Sequence, residues 1–104
     1  TRSSRFRLDA LWLEDAEFSF WCRNDATTAV RLATRVAQSP YAIQSASGHL
    51  CLAAAAPDRE DRAAHARSAR AVAERIGAHH IAEAADVRLA LVDTPASMPQ
   101  VFLL

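Results

Sequence analysis

Apolar residues recur at three- and four-residue spacing along most of this chain, which is the pattern of amphipathic helices. The clearest case covers residues 58–76, and its apolar stripe consists of Ala66, Ala69, Val72, Ala73 and Ile76. Acidic Glu60 and Asp61 lie in the first turn, where the helix dipole favours negative charge. Gly77 follows the last periodic residue and predicts a left-handed C-terminal cap.

Three more helices are predicted by the same spacing. They cover residues 26–38, capped by Asp25, residues 40–55, with Pro40 in the first turn, and residues 79–92. Their apolar stripes are Ala29, Val30, Ala33 and Val36 or Ala37; Ile43, Ala46, Leu50 and Ala53 or Ala54; and Ile81, Ala85, Leu89 and Val92.

The first segment, residues 6–22, fits two patterns. Alternation of Phe18, Phe20 and Cys22 indicates a strand. A helical stripe is formed instead by Leu8, Leu11, Trp12, Ala16 and Phe20. We expect a helix, because no other segment could pair with a strand.

These elements predict an all-α fold of about five helices, arranged as stacked antiparallel hairpins in an α–α superhelix. The helical domain is expected over residues 1–94, and an extended tail containing Pro95 and Pro99 over residues 95–104. The composition agrees, because alanine is abundant and only two glycines and four prolines are present. Alanine is the strongest helix former and lets helices approach closely.

A weak internal repeat relates the helices. Aligning residues 41–54 with residues 80–93 places Leu50 on Leu89 and Leu52 on Leu91, and residues around Phe18 and Phe20 fit the same positions. The sequence resembles tetratricopeptide repeats, above all those in the C-terminal regions of actinobacterial LuxR-type regulators and signal-transducing ATPases. The stretches that carry this resemblance are residues 15–25, 47–54 and 71–77. Such repeats favour a small residue where Gly48 stands. The overlong second hairpin, and the missing proline after Ile76, depart from their pattern.

This resemblance implies where a partner would bind. In stacked hairpins the first helix of each pair lines the concave face, where extended partners lie. Six aligned residues of these helices are the candidate binding residues: Trp12, Asp15, Gln44, Ser47, Glu83 and Asp86. We expect a protein or small effector ligand on this face. The alternative is that Trp12 packs beneath the N-terminal segment and leaves only a polar wall.

The charge balance of the chain and the motifs that it lacks exclude several classes of function. Twelve basic residues, all arginine, balance twelve acidic ones, so the chain lacks the basic excess typical of nucleic-acid binding. No apolar run is long enough to span a bilayer, and no glycine-rich phosphate loop occurs. Cys22 and Cys51 fit reduced, buried thiols better than a disulfide. We expect a cytoplasmic protein without a cofactor.

Catalytic and metal sites have only weak candidates. In Ser47-Gly48-His49 the hydroxyl and imidazole are too close in sequence to face each other on a helix. Metal ligation by His49, Cys51 or His65 would need residues from separate helices. The acids Glu14, Asp15 and Glu17 could serve acid–base chemistry, but such a run is more typical of a solvated face.

The sequence therefore predicts a non-catalytic protein-interaction or effector-sensing module, part of a bacterial transcriptional regulator as the resemblance implies. One alternative is a homodimeric helical bundle that buries residues 101–104 with Trp12 or Trp21 between chains. The other is a metal-binding sensor or small helical enzyme using His49, Cys51 or His65.

Overall fold

A computed structural model of the chain describes residues 2–93, and the tail expected over 95–104 lies outside them. The described part is all-helical, as predicted. Its five helices are α1 (Arg2–Trp21), α2 (Ala26–Ala37), α3 (Ala42–Ala55), α4 (Arg59–Ile76) and α5 (His79–Ala90). The first segment is helical throughout, so the alternating aromatic residues near its end do not mark a strand.

Local capping sets most of the helix boundaries. The Asp25 carboxylate accepts a hydrogen bond from the Thr28 backbone N–H at 3.0 Å, which confirms the predicted cap of α2. Gly77 ends α4 with a φ of 75°, in the left-handed region that favours glycine.

Several boundaries differ from the prediction: α1 spans Arg2–Trp21 and not residues 6–22, and α2 ends one residue early, at Ala37. Residue Pro40 lies before α3, not in its first turn, because Tyr41 is extended and donates its backbone N–H to the Ser39 hydroxyl at 3.1 Å. Asp58 caps α4 from outside the helix, and α5 ends at Ala90, two residues early.

The helices form two layers. Each helix packs against the next along the chain, and α3 also contacts α1 and α5. One layer therefore contains α1, α3 and α5 side by side, with α3 in the middle, while α2 and α4 cover its other side. Every described element meets α3, which makes it the central helix of the stack.

Helices α2 and α3 cross at Gly48. A Cβ atom added there would lie 2.8 Å from the Ala37 Cα and from the Val36 carbonyl carbon. These are backbone atoms, which cannot move aside without shifting the whole helix. Only glycine fits at this crossing.

The core is built largely from alanine. Completely buried alanines come from all five helices: Ala16, Ala29, Ala33, Ala46, Ala66, Ala69, Ala73 and Ala85. Larger core residues include Leu32, Val36, Leu52 and Ile81. Small side chains let helix backbones approach closely, so the stack gains dispersion contacts from backbone as well as side-chain atoms.

Four residues assigned to apolar stripes are exposed instead, and the prediction was wrong for them. Leu8 and Leu11 are 40% and 62% exposed, and Ile43 and Ile76 also face solvent. In α1 the reason is that polar Asp9 and Ser19 occupy the inward face with Ala16.

Asp9 joins α1 to the turn between α2 and α3. Its carboxylate is completely buried and accepts hydrogen bonds from Arg5 Nε at 2.8 Å and from the Ser39 hydroxyl at 2.5 Å. Arg5 also donates to the Arg35 carbonyl at 3.0 Å. A buried carboxylate is tolerated only with such partners, so this cluster fixes how α1 docks on the stack.

Candidate functional site

A groove of about 330 Å³ runs along the layer of α1, α3 and α5. It is called the central groove here, and the side chains that line it are Leu13, Glu17, Phe20 and Trp21 of α1, Ser47, Leu50, Cys51 and Ala54 of α3, and His80, Ile81 and Arg88 of α5. Each helix contributes residues at roughly one-turn multiples, so the groove follows one face of every helix. Helix α3 forms the floor, and α1 and α5 form the walls.

Two opposite charges lie on the two walls of the central groove. Partial burial raises the pKa of Glu17 on α1 and lowers the pKa of Arg88 on α5. The Arg88 guanidinium carbon lies 5.5 Å from the centre of the Trp21 ring, within range of a cation–π contact. No residue in the described part of the chain forms a hydrogen bond or an ion pair with the side chain of either Glu17 or Arg88.

The Cys51 thiol at the floor of the central groove is unreactive. Cys51 is 8% exposed, and burial, with a smaller contribution from the Glu17 charge, raises the pKa of its thiol to about 12. A thiol of this kind is not a nucleophile at neutral pH. Both cysteines are free, as expected, but Cys22 is exposed and not buried.

The six candidate binding residues do not share one surface. Ser47 lines the central groove, although its hydroxyl donates to the Ile43 carbonyl at 2.9 Å. Gln44 is buried, and its side-chain amide donates to the Phe6 carbonyl at 3.2 Å. Trp12 is half-buried against the core, with the guanidinium carbons of Arg5 and Arg35 at 5.7 and 5.4 Å from its ring centre.

The other three lie on outer faces. Asp15 is exposed beside a shallow depression on α1, next to Leu11 and Phe18. Glu83 is exposed on α5, and Asp86 accepts a hydrogen bond from Arg70 Nε at 2.5 Å. Asp86 precedes Arg88 by two residues, about 200° around the helix, so it faces α4 and not the central groove.

Two histidines meet across the α3–α4 hairpin. The Nδ1 atoms of His49 and His65 are 2.9 Å apart and the ring centres 5.1 Å apart. Because the ring centres are much farther apart than the two Nδ1 atoms, the nitrogens face each other, as in an N–H···N hydrogen bond. Burial lowers the pKa of both rings, and the neighbouring ring adds to the effect on His49.

This pair bears on the predicted metal-site alternative. The structure brings His49 and His65 together, but Cys51 faces the central groove with α1 and α5. Within residues 2–93, no group of three or more His, Cys, Asp or Glu side chains is arranged to hold a metal ion. Two ligands fall short of the three or four that protein zinc sites provide.

Sequence reasoning missed Arg88. It predicted a solvated acidic face for Glu14, Asp15 and Glu17, and all three are exposed, but it did not predict that Glu17 also lines the central groove. A signal for Glu17 was present, because Leu13, Phe20 and Trp21 lie on the same helical face. Arg88 gave no comparable signal, since its role depends on how α5 packs beside α3.

No described helix is both long and apolar enough to cross a membrane. Comparison with protein family models, with curated proteins and with solved structures finds no match to this chain.

Proposed function

We propose that this chain is a non-catalytic binding module that takes up a protein segment or a small effector in the central groove. The observation that carries the proposal is a pair of opposite charges, the exposed Glu17 and the half-buried Arg88, on the walls of a groove whose lining is mostly apolar. Ligand sites are typically concave and mostly apolar, with a few polar groups that fix orientation. Its resemblance to helical repeats of LuxR-type regulators supports a place in a bacterial regulator, in the cytoplasm.

The surroundings of the central groove favour binding over catalysis. A nucleophile needs an adjacent base and a lowered pKa, whereas the Cys51 thiol has a raised pKa and Ser47 donates to its own helix backbone. What the groove offers is an aromatic and aliphatic surface with two charges at fixed places. That combination gives affinity and orientation without bond breaking.

A fragment screen by NMR tests the proposal. Two-dimensional amide spectra would be recorded with a library of small apolar acids, amines and short peptides. We expect shifts to concentrate on α1 near Glu17 and on the groove-facing sides of α3 and α5. Ala54→Trp, which fills the groove, should abolish them, whereas Ala64→Trp on the exposed face of α4 should not.

The outcome can also overturn the proposal. Shifts scattered over the outer faces of α2 and α4, or binding that survives Ala54→Trp but not Ala64→Trp, would place the ligand site elsewhere. Circular dichroism of both variants shows whether each keeps its helices.

Self-association is a second candidate, favoured by a different observation. Helix α1 presents Leu8, Leu11 and Phe18 on one outer face, and these side chains, the α1 stripe, are 40%, 62% and 47% exposed. Contiguous exposed apolar residues often mark interaction surfaces. Leu11 and Phe18 lie roughly 140° and 160° around α1 from the buried Ala16, and Leu8 lies at the edge of this face, so a second copy of the chain could cover it.

Sedimentation equilibrium distinguishes this candidate. If the α1 stripe forms a dimer, the apparent mass should rise with concentration, and Leu11→Glu should hold the chain monomeric. Ile76→Glu, at an exposed apolar residue of α4, is the matched control and should leave the association unchanged. A mass equal to that of a single chain at every concentration rejects the dimer.

A further inference from the structure

The two charges of the central groove approach its floor from opposite sides. Both act on the Cys51 thiol, whose pKa the Glu17 charge raises and the Arg88 charge lowers. Yet Glu17 and Arg88 form no ion pair with each other, and α3 lies between the helices that carry them. The groove therefore has a negative wall and a positive wall separated by an apolar floor.

Desolvating a charge without a partner is costly. In this molecule Arg88 is half-buried at one wall without an ion-pair partner, and Glu17 is exposed at the other wall and equally unpaired among the described residues. A ligand that brings an anion to Arg88 and a cation to Glu17 would pair both charges at once. A ligand with one charge would pair only one.

Arg88 also lies beside an aromatic ring at its wall. Its guanidinium carbon is 5.5 Å from the centre of the Trp21 ring, within range of a cation–π contact. A guanidinium presents paired N–H donors that match the two oxygens of a carboxylate. Between the walls, Leu13, Leu50 and Ile81 offer apolar contacts.

We propose that the central groove recognises a small apolar zwitterion, a molecule that carries a carboxylate and an ammonium group at opposite ends of an apolar body, as a dipeptide with apolar side chains does. The carboxylate pairs with Arg88 and the ammonium group with Glu17, while the apolar body covers the floor at Leu50. The groove volume of about 330 Å³ is at the small end of the range for ligand pockets, which suits a ligand of this size. This inference rests on the proposed function and specifies its ligand class.

The test compares three probes by calorimetry and by the Trp21 indole resonance: the dipeptide leucyl-phenylalanine, its N-acetylated form and its C-terminal amide. The free dipeptide should bind about tenfold or more tightly than either blocked form, because each block removes one charge-assisted contact. Arg88→Gln should remove the preference over the amide and leave the preference over the acetylated form. Glu17→Gln should do the reverse.

Matched controls are available on the same helical stack. Arg67→Gln on α4 and Glu14→Gln on α1 remove the same charges from exposed positions outside the groove, and neither should change the preferences. Amide spectra of each variant report whether the fold is kept.

The results separate this inference from the proposed function. Equal binding of free and blocked dipeptides in the groove keeps the binding module and overturns the zwitterion. If neither the dipeptides nor the fragment library shift groove residues, both proposals fail.

Discussion

Gly48 shows most directly how a single residue sets the geometry of this fold. Gly48→Ala should destabilise the chain by about 1–3 kcal/mol, because the added methyl group collides with backbone atoms of α2. Helix propensity alone predicts the opposite sign, since alanine is favoured over glycine by about 1 kcal/mol in a helix interior. Urea unfolding followed by circular dichroism measures the difference.

Ala64→Gly on the exposed face of α4 supplies the propensity term in the same protein. The change in unfolding free energy caused by Ala64→Gly, with its sign reversed, is the change that helix propensity alone predicts for Gly48→Ala. A Gly48→Ala variant as stable as the parent chain, or more stable, would mean that α2 and α3 are not in backbone contact at residue 48.

At the scale of the helical element, the hairpin of α3 and α4 should weaken in mild acid. His49 and His65 share a hydrogen bond, and burial lowers the pKa of both below the ordinary value near 6.5. The unfolded chain therefore takes up protons first as the pH falls through 6.5, and stability declines from there until the folded-state pKa values are passed. Double protonation also turns two N–H groups toward each other, with the loss of a hydrogen bond worth about 1 kcal/mol.

Chemical unfolding at pH 7.5 and at pH 5.0 tests this prediction. The double variant His49→Gln/His65→Gln should lose less stability between the two values than the parent chain. His79→Gln, at an exposed histidine that begins α5, should behave like the parent. Equal losses in the parent and the double variant would show that the histidine pair does not carry the pH dependence. Neither measurement is made below pH 5, so that these two histidines are tested apart from Asp25 and Asp93. Hydrogen bonds lower the pKa values of those two carboxyl groups, which therefore stop stabilising the folded chain only at lower pH.

Sequence periodicity predicted which segments are helical but not which face of each is buried. It succeeded for α4, where alanines at regular spacing are in fact buried and Gly77 ends the helix. It failed for α1, because the pattern ranks Leu11 above Asp9 as a core residue. Asp9 is buried only because Arg5 and Ser39 satisfy its carboxylate, and Ser39 lies thirty residues away along the chain.

The candidate site was harder still to predict. Its residues come from three helices, and a shift of two positions along α5 decides whether Asp86 or Arg88 faces the central groove. A repeat alignment fixes equivalent positions but not the rotation of each helix about its axis. That rotation is set by packing, which a single sequence does not report.

At the scale of the whole molecule, stability should depend most on α3. Two apolar clusters share this helix: one joins Leu52 to residues of α1 and α2, and the other joins Ala46 to residues of α4 and α5. Leu52→Ala should therefore cost about 2–5 kcal/mol as a buried large-to-small change. Native-state hydrogen exchange should show the slowest amides in α3.

The same exchange experiment contains its own comparison. Val87→Ala, at a residue of α5 that is 55% exposed, should leave the slowest amides unchanged. Should the amides of α2 or α4 outlast those of α3, the central helix would not be the last to open.

The alanine core has a consequence for how this chain tolerates mutation. In most domains the damaging core substitutions remove atoms and leave cavities. Here eight buried core positions already carry a single methyl group, so there is little to remove and no space for anything larger. Variation at these positions would then be constrained chiefly by size: they accept alanine, glycine or serine, whereas substitution by valine or leucine would push the layers apart. At these eight positions a complete substitution scan should thus show deeper losses where the side chain is enlarged than where it is reduced to glycine.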